Sequence, residues 1–304
     1  MDHLSTLNYE RTGRIARINL NRPEHANAIT LEMPAELAEC VERANLDPEV
    51  HVIALAGNGK GFCGGYDLVI SAEQRRSSDS ADRWPPGSPM DAGVQFQNHS
   101  PGEVWDPMTD YAMMSRNVRG FMSLFYSDKP VVCKIQGFCV GGGTDMALCS
   151  DLLIVEDTAK IGYPPARVWG VPTTALWAFR IGAQRAKRLL FTGDSLTGKE
   201  AVDWGLACES APLPELDGRF ENLLARIARV PVNQLIMHKL LINQGLLAQG
   251  LYGTQLLGTV FDGIARHTKE GHTFRQRAAE SGFKQAVRER DEPFGDFGTT
   301  VSRD

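Results

Sequence analysis

The sequence predicts an α/β core followed by a helical C-terminal part. Short apolar runs at 52–56 and 152–155 have the continuous hydrophobicity of strands that are buried on both faces. Apolar residues recur at helical spacing between such runs. From about residue 216 onward, long amphipathic segments follow one another without a convincing strand. These patterns predict a mixed first part and an all-helical last part.

Composition sets limits on the partners and the compartment. The chain has 304 residues with 42% hydrophobic content, and 37 acidic residues outnumber 32 basic ones, for a net charge of −5. This balance argues against nucleic acid as a partner. No stretch approaches the ~20 apolar residues of a membrane span, and the N-terminus lacks a signal-peptide pattern. We therefore expect a soluble cytoplasmic protein.

The cysteines and histidines give no indication of a metal site. Six cysteines are scattered without a C-x-x-C pair, and most have apolar neighbours. The histidines of the C-terminal third lie far apart on polar segments. The sequence thus predicts free thiols in a reducing compartment and no bound metal.

The N-terminal elements alternate between strand and helix. Alternation of apolar residues at 15–20, after the turn Thr12-Gly13, predicts a hairpin. A helix follows, for which Thr30 is the expected cap and Pro34 is acceptable in the first turn. The strand at 52–56 is closed by the glycine-rich loop 57–61.

Residues 77–110 interrupt this alternation. The segment contains proline-rich stretches near Trp84 and Trp105 and little periodicity, so it predicts a long loop or an inserted lid. Helical spacing resumes with Met114, Val118 and Phe125, and a buried strand begins near residue 131.

Three consecutive glycines, Gly141 to Gly143, join that strand region to a segment that reads as a helix start and carries Asp145. Glycines let the backbone approach a ligand closely, and the first turn of a helix offers unpaired N–H groups. The turn could hold an oxyanion. The plainer interpretation is a tight turn in which Asp145 only complements the helix dipole.

After the turn, short strands are expected at 152–155 and 160–162. The chain then becomes mainly helical from Ala175, and the longest amphipathic segments lie at 220–228, 235–247 and 274–290.

Several short motifs agree in order with those of one known family. They are Asn21-Arg22-Pro23 with Asn27-Ala28, Gly59 through Leu68, Lys129-Pro130-Val131 through Gly143, Phe191-Thr192-Gly193, and Glu200-Ala201 with Gly205-Leu206. Each motif is weak alone, but the ordered set resembles the crotonase, or enoyl-CoA hydratase/isomerase, superfamily over nearly the whole chain. The resemblance implies a crotonase-like spiral of ββα units over 1–212, with the insertion at 77–110. It also implies a helical region at 213–304 that builds a homotrimer or a dimer of trimers.

The resemblance also implies a site. The backbone N–H groups of Tyr66 and Gly142 would polarise the thioester carbonyl of an acyl-CoA, and Asp145 would stand where hydratases have their first catalytic glutamate. Substrate-binding residues carried over by position are Arg22, Tyr66, Asp67, Leu68, Val69 and Gly142. The substrate brings the CoA, so no separate cofactor or metal is expected. The function implied is enoyl-CoA hydration.

The chain departs from the family pattern at the second acid. Pro165 stands where hydratases and simple isomerases have a glutamate, and Thr173 stands where other members have a further carboxylate. Three alternatives remain open. The first is a hydratase, isomerase, lyase or hydrolase whose second acid comes from the insertion, where the candidates are Glu103, Asp106 and Asp110. The second is a non-catalytic acyl-CoA-binding protein. The third is a carbon–carbon bond hydrolase acting without CoA, for which His99 is the one candidate.

The acyl group is not specified by these residues. Bulky side chains could line a pocket for a large or aromatic acyl group, although core packing explains several of them equally well. They are Trp84, Trp105, Trp169, Trp177, Met113 and Met114.

Overall fold

The structure, a computed structural model, describes residues 4–67, 84–100 and 102–295. Within these ranges the chain forms nine strands and eleven α-helices, in the alternating order that the sequence predicts for the first part. The predicted substrate-binding residues Leu68 and Val69 lie outside the described residues. The division at residue 212 into a core and a helical region remains a prediction.

The main sheet has six strands in the order β1-β2-β3-β4-β6-β9. The β1–β2 pair is antiparallel and forms the predicted hairpin, whereas the remaining pairs are parallel. The strands span Leu7–Thr12 (β1), Ile15–Leu20 (β2), Val52–Gly57 (β3), Val131–Ile135 (β4), Leu152–Glu156 (β6) and Glu209–Ala211 (β9).

Strand β3 shows why these runs are continuously apolar. All six of its residues are buried. Ile53 and Leu55 face the large core, while Val52 and Ala54 face a second cluster that contains Phe220. Because side chains of a strand alternate between faces, a strand covered on both sides needs apolar residues throughout. The predicted buried strand is confirmed.

A smaller sheet supports the glycine turn. Its strands are Phe138–Val140 (β5), Lys160–Gly162 (β7) and Ser195–Leu196 (β8), in the order β5-β7-β8. The β5–β7 pair is parallel and the β7–β8 pair antiparallel.

The helices fall between the strands and then occupy the C-terminal part. In chain order they are Met33–Leu46 (α1), Ala92–Asn98 (α2), Pro107–Tyr126 (α3), Gly142–Ala147 (α4), Trp177–Thr192 (α5), Gly198–Asp203 (α6), Leu213–Ile227 (α7), Val232–Ala248 (α8), Leu251–Arg266 (α9), Lys269–Ser281 (α10) and Phe283–Asp291 (α11). No helix among the described residues is long and apolar enough to cross a bilayer.

Three expectations about helices were wrong. Helix α1 begins at Met33 after Glu32, so Thr30 does not cap it. The described residues 84–100 and 102–110 of the insertion are not a continuous loop, because α2 and the first turn of α3 lie among them. The segment 274–290 is two helices, since Gly282 has a φ of +87° and separates α10 from α11. Glycine adopts this left-handed region without the steric cost of a Cβ atom.

Candidate active site

The glycine turn follows β5 and excludes side chains. Gly141 has a φ of +55°, a conformation that favours glycine. A Cβ atom on Gly142 would lie 2.6 Å from Cε2 of Tyr66, and one on Gly143 would lie 2.7 Å from the carbonyl oxygen of Cys63. The triplet is therefore required by the close approach of the segment 63–66, which the sequence motif alone could not show.

Two unengaged N–H groups lie at this approach. A short parallel bridge between Ile29 and Tyr66 holds the segment 63–66 in place. In this bridge the Ile29 N–H donates to the Gly65 carbonyl at 2.8 Å, and the Asp67 N–H donates to the Ile29 carbonyl at 2.9 Å. Among the described residues, the amide N–H groups of Tyr66 and Gly142 have no acceptor. A Cβ on Gly65 would lie only 3.6 Å from the Gly142 nitrogen. The structure thus brings the predicted pair of donors together.

The ring of Tyr66 lies against the turn and narrows the site. Its hydroxyl is buried, and the side chain of Asn117 is the polar group beside it. On its other side the ring contacts an apolar cluster formed by Met90, Met113 and Met114 together with Trp84. Three of the predicted pocket residues, Trp84, Met113 and Met114, thus border the site through Tyr66.

The remaining large side chains of the predicted pocket lie elsewhere. Trp177 is 1% exposed in the large core. Trp169 packs on Phe274, and Trp105 stacks on His267 with ring centroids 4.2 Å apart. These three tryptophans therefore have packing roles in this structure.

Asp145 is buried beside the turn, where groups of Thr173 and Thr174 face its carboxyl group. Its side chain is 1% exposed. Oδ1 accepts hydrogen bonds from the Thr174 N–H at 3.1 Å and the Thr174 hydroxyl at 2.9 Å. Oδ2 has no partner among residues that the structure describes. Burial raises the pKa of Asp145 to about 7, and the Thr174 hydrogen bonds only partly oppose this effect. Both protonation states are accessible near neutral pH.

Pro165 occupies the position beside the turn where the family pattern has a carboxylate. Its Cγ lies 3.3 Å from the place of a Cβ on Gly141. Thr173, at the other such position, is fully buried, and its hydroxyl has no hydrogen-bond partner within the described ranges. Both residues are near the site, as predicted, and neither can transfer a proton as a carboxyl group does.

Arg22 and Asp67 bind each other. The guanidinium donates to Asp67 Oδ2 at 2.9 Å and to the Ala28 carbonyl at 2.6 Å, and both side chains are largely buried. This ion pair joins the residues that follow β2 to the residue that follows Tyr66. A direct contact of either residue with CoA remains a prediction.

The three carboxylates proposed from the insertion have other environments. Glu103 is exposed. Asp106 caps α3 by accepting from the Met108 N–H at 2.8 Å. Asp110 is 1% exposed and accepts a hydrogen bond from Trp105 Nε1 at 2.7 Å. Each of the three thus already has a structural role or faces solvent.

Asp110 lies at the centre of a cluster that joins the insertion to α9. Its oxygens are 3.0 Å from His99 Nε2 and 3.3 Å from His267 Nε2. Such a set could hold a metal ion. Arg266 Nη2, however, lies 3.7 Å from Asp110, and Arg275 donates to the His99 carbonyl. Because two cationic side chains disfavour a further cation, we interpret the cluster as a polar link between the two segments.

Sequence reasoning missed a second carboxylate near the site, which is largely shielded from solvent. Asp262 on α9 accepts from the Val171 N–H at 3.5 Å and pairs with Arg266 at 3.2 Å. Its charge acts on Asp145 and Tyr66, where it favours the protonated forms. The only sequence signal was the i, i+4 spacing of Asp262 and Arg266, which is common on exposed helices.

Fold and site together define an α/β protein in which the N–H groups of Tyr66 and Gly142 lie close to the buried carboxyl group of Asp145. The comparisons identify the family. The enoyl-CoA hydratase/isomerase family model matches residues 10–90 and 92–277. The chain belongs to this family, within the crotonase superfamily.

Similar proteins include members with different activities. A solved enoyl-CoA hydratase from Mycobacterium smegmatis is 56% identical, with a TM-score of 0.90, over 97% of this chain and 96% of that one. The 1,2-epoxyphenylacetyl-CoA isomerase of Escherichia coli K12 is 28% identical over 71% of this chain and 74% of its own. The (E)-benzylidenesuccinyl-CoA hydratase of Thauera aromatica is 28% identical over 73% of this chain and 77% of its own.

Proposed function

We propose that the protein adds water across the double bond of a 2-enoyl-CoA. The observation that carries this proposal is the pair of unengaged N–H groups, from Tyr66 and Gly142, beside the buried carboxyl group of Asp145. The family membership and the similar hydratases support the same reaction.

The two N–H groups would bind the thioester oxygen. Attack at the β-carbon turns the thioester into an enolate, and the negative charge collects on this oxygen. Donors fixed in a buried site stabilise such charge without reorganising, and one donor is worth about 3 kcal/mol. Both donors belong to the backbone, so side-chain replacement at Tyr66 leaves its N–H in place.

Asp145 would protonate the α-carbon. It follows Gly142 by three residues on the short helix α4, so its carboxyl group lies on the side of the thioester oxygen. The α-carbon is bonded directly to the thioester carbon and is therefore the nearer of the two reacting carbons. With a pKa of about 7, Asp145 can carry the proton that this step requires.

We expect the acyl group of the substrate to be apolar, because an apolar cluster packs against Tyr66. Met90, Met113 and Met114 lie there with Trp84, and methionine adapts to irregular shapes. Water supplies the hydroxyl group and the proton that are added to the enoyl thioester, and protein carboxyl groups relay the protons. The proposal therefore includes CoA only as part of the substrate.

The test is turnover of purified protein with crotonyl-CoA, a long-chain 2-enoyl-CoA and cinnamoyl-CoA. Loss of the conjugated thioester absorbance with formation of 3-hydroxyacyl-CoA supports hydration. Tight acyl-CoA binding without turnover of any substrate would favour the non-catalytic alternative. Failure to bind any CoA ester would contradict the proposal.

Double-bond isomerisation is the second candidate. Asp145 is 1% exposed, and the reaction moves a proton between carbons without a water substrate. A 3-enoyl-CoA offered in the same assay separates the candidates. Conversion to the 2-enoyl-CoA, with no hydration of that product, would favour the isomerase.

We also propose self-association into a homotrimer or a dimer of trimers. The outer faces of α8 and α9 expose large apolar side chains, including Leu241 at 77%, Ile242 at 66%, Tyr252 at 70% and Leu257 at 55%. Large exposed apolar side chains on neighbouring helices are typical of subunit interfaces. Light scattering of the wild type and of Leu241→Glu measures the mass, and a monomeric wild type would contradict this proposal.

A cytoplasmic location is part of the same proposal. All six cysteines are free thiols in the structure, and five of them are buried. Free thiols are the usual state of cysteines in a reducing compartment. Cell fractionation with an antibody to the protein tests the location.

A further inference from the structure

Water addition requires two proton movements, and the family positions supply one carboxyl group. One proton leaves the attacking water and one arrives at the α-carbon. Pro165 fills the space beside Gly141 where a second acid was expected. A second proton-transfer group must come from another part of the chain if the protein is a hydratase.

Asp262 reaches the site from the C-terminal helices. It lies on α9, and its side chain is 13% exposed. One oxygen accepts from the Val171 N–H at 3.5 Å, and the other is 3.2 Å from Arg266 Nη2. The Gly170 N–H donates to the Pro165 carbonyl at 2.8 Å and Val171 follows Gly170, so Asp262 approaches the region that Pro165 leaves without a carboxylate.

One short segment holds both carboxylates. Its first residue, Val171, donates to Asp262, and its last, Thr174, donates twice to Asp145. Helix α9 lies directly on this segment, because a Cβ on Gly258 would lie 2.7 Å from the Pro172 carbonyl oxygen. Asp145 and Asp262 are therefore hydrogen-bonded to the two ends of the segment 171–174.

The charges around the two carboxylates differ. Burial raises the pKa of Asp262, and the charge of Asp110 acts in the same direction, whereas Arg266, the Val171 N–H and His99 oppose this rise only in part. Asp145 has no cationic partner in the described part of the chain. Burial raises the pKa values of Tyr66 and Tyr163, and the charges of Asp145 and Asp262 raise them further, so both tyrosines lie near the two carboxylates.

We propose that Asp262 is the second proton-transfer group of this active site and acts as the base that activates water. The proposal rests on the hydratase function proposed above. Asp262, ionised beside Arg266, takes a proton from water while the water oxygen bonds to the β-carbon. The electron pair of the double bond moves through the α-carbon to the thioester oxygen.

The cycle closes without another reactant. Protonated Asp145 gives its proton to the α-carbon as the enolate returns to the thioester. Asp262 is then protonated and Asp145 ionised. Transfer of one proton from Asp262 to Asp145 restores the starting state, so the sum is addition of one water molecule to one double bond.

The test separates the two carboxyl groups by two reactions. Hydration of a 2-enoyl-CoA needs both groups, whereas exchange of the α-proton of a saturated acyl-CoA with D₂O needs only the oxyanion hole and Asp145. For Asp262→Asn we expect hydration to fall by about 10²–10⁴-fold, with acyl-CoA affinity and α-proton exchange kept within about threefold. Asp145→Asn should lose both reactions.

Asp110→Asn is the matched control, because Asp110 is the other carboxylate beside Arg266. It should retain hydration within about threefold. Equal losses in Asp110→Asn and Asp262→Asn would overturn the proposal, since Asp262 would then only balance Arg266. Hydration by Asp262→Asn within twofold of wild type would also overturn it while leaving the proposed function intact. If the wild type hydrates no enoyl-CoA, both the proposed function and the proposed role of Asp262 are contradicted.

Discussion

The two sides of the candidate active site are built in different ways. The core side consists of the Gly141–Gly143 turn, Tyr66 and Asp145, and its geometry is set by backbone contacts between neighbouring segments. The helix side consists of Asp262 and Arg266, which extend from α9. A substitution in the glycine turn disturbs several backbone contacts at once, whereas a substitution on a helix changes one side chain and leaves the backbone as it is. We therefore expect substitutions to change the proposed proton-transfer groups more readily than the proposed carbonyl-binding groups.

Removing the carboxyl group of the core side should have the largest effect. In Asp145→Asn the hydrogen bonds from Thr174 can persist, but no proton can reach the α-carbon. We expect kcat for hydration to fall by about 10²–10⁴-fold. Steady-state kinetics with the best substrate measure this, and the binding constant for a saturated acyl-CoA is the control. Activity near that of wild type would show that the helix side acts alone.

The same substitution should change how stability depends on pH. The pKa of Asp145 is about 7 in the folded chain and about 3.8 when exposed. The folded state therefore holds the proton more tightly, and its stabilisation is complete below about pH 4 and is lost as pH rises through 7. A gap of about three units corresponds to at most about 4 kcal/mol.

Denaturant unfolding at pH 4 and pH 8 measures this difference. Asp145→Asn resembles the protonated form, so it should match wild type at pH 4 and be more stable at pH 8. If the difference in unfolding free energy between the two proteins does not change with pH, then burial does not raise the pKa of Asp145. The contrast with Asp262, which lies beside Arg266, would then fail.

Gly142→Ala tests the backbone geometry of the core side. The new Cβ would lie 2.6 Å from the Tyr66 ring and would displace the donor N–H. Loss of one donor costs about 3 kcal/mol, or about 10²-fold in kcat. Because the nearest clash is with a side chain, Tyr66→Ala in the same protein should restore part of the activity. Equal kcat values for the single and double variants would place the damage elsewhere.

The core side was predicted from sequence because its residues form contiguous motifs. Gly142, Tyr66 and Asp145 follow from the order of short patterns, and the buried strand β3 follows from an unbroken apolar run. The helix side could not be predicted in this way. Asp262 is one acidic residue on an amphipathic helix, and only the packing of α9 on Pro172 and Thr173 brings it to the site. Tertiary contacts between distant segments leave no local pattern.

The acidic residues of the insertion are the opposite case, because they were candidates for the second acid and the structure gives Asp106 another role. Asp106 accepts from the Met108 N–H at the start of α3, so its carboxylate satisfies a helix end. Asp106→Ala should cost about 1 kcal/mol of stability and leave kcat unchanged. Thermal unfolding and hydration kinetics measure the two effects, and Asp106→Ser, which can still cap, should recover most of the stability. A fall in kcat comparable to that of Asp145→Asn would instead place the second acid in the insertion rather than on α9.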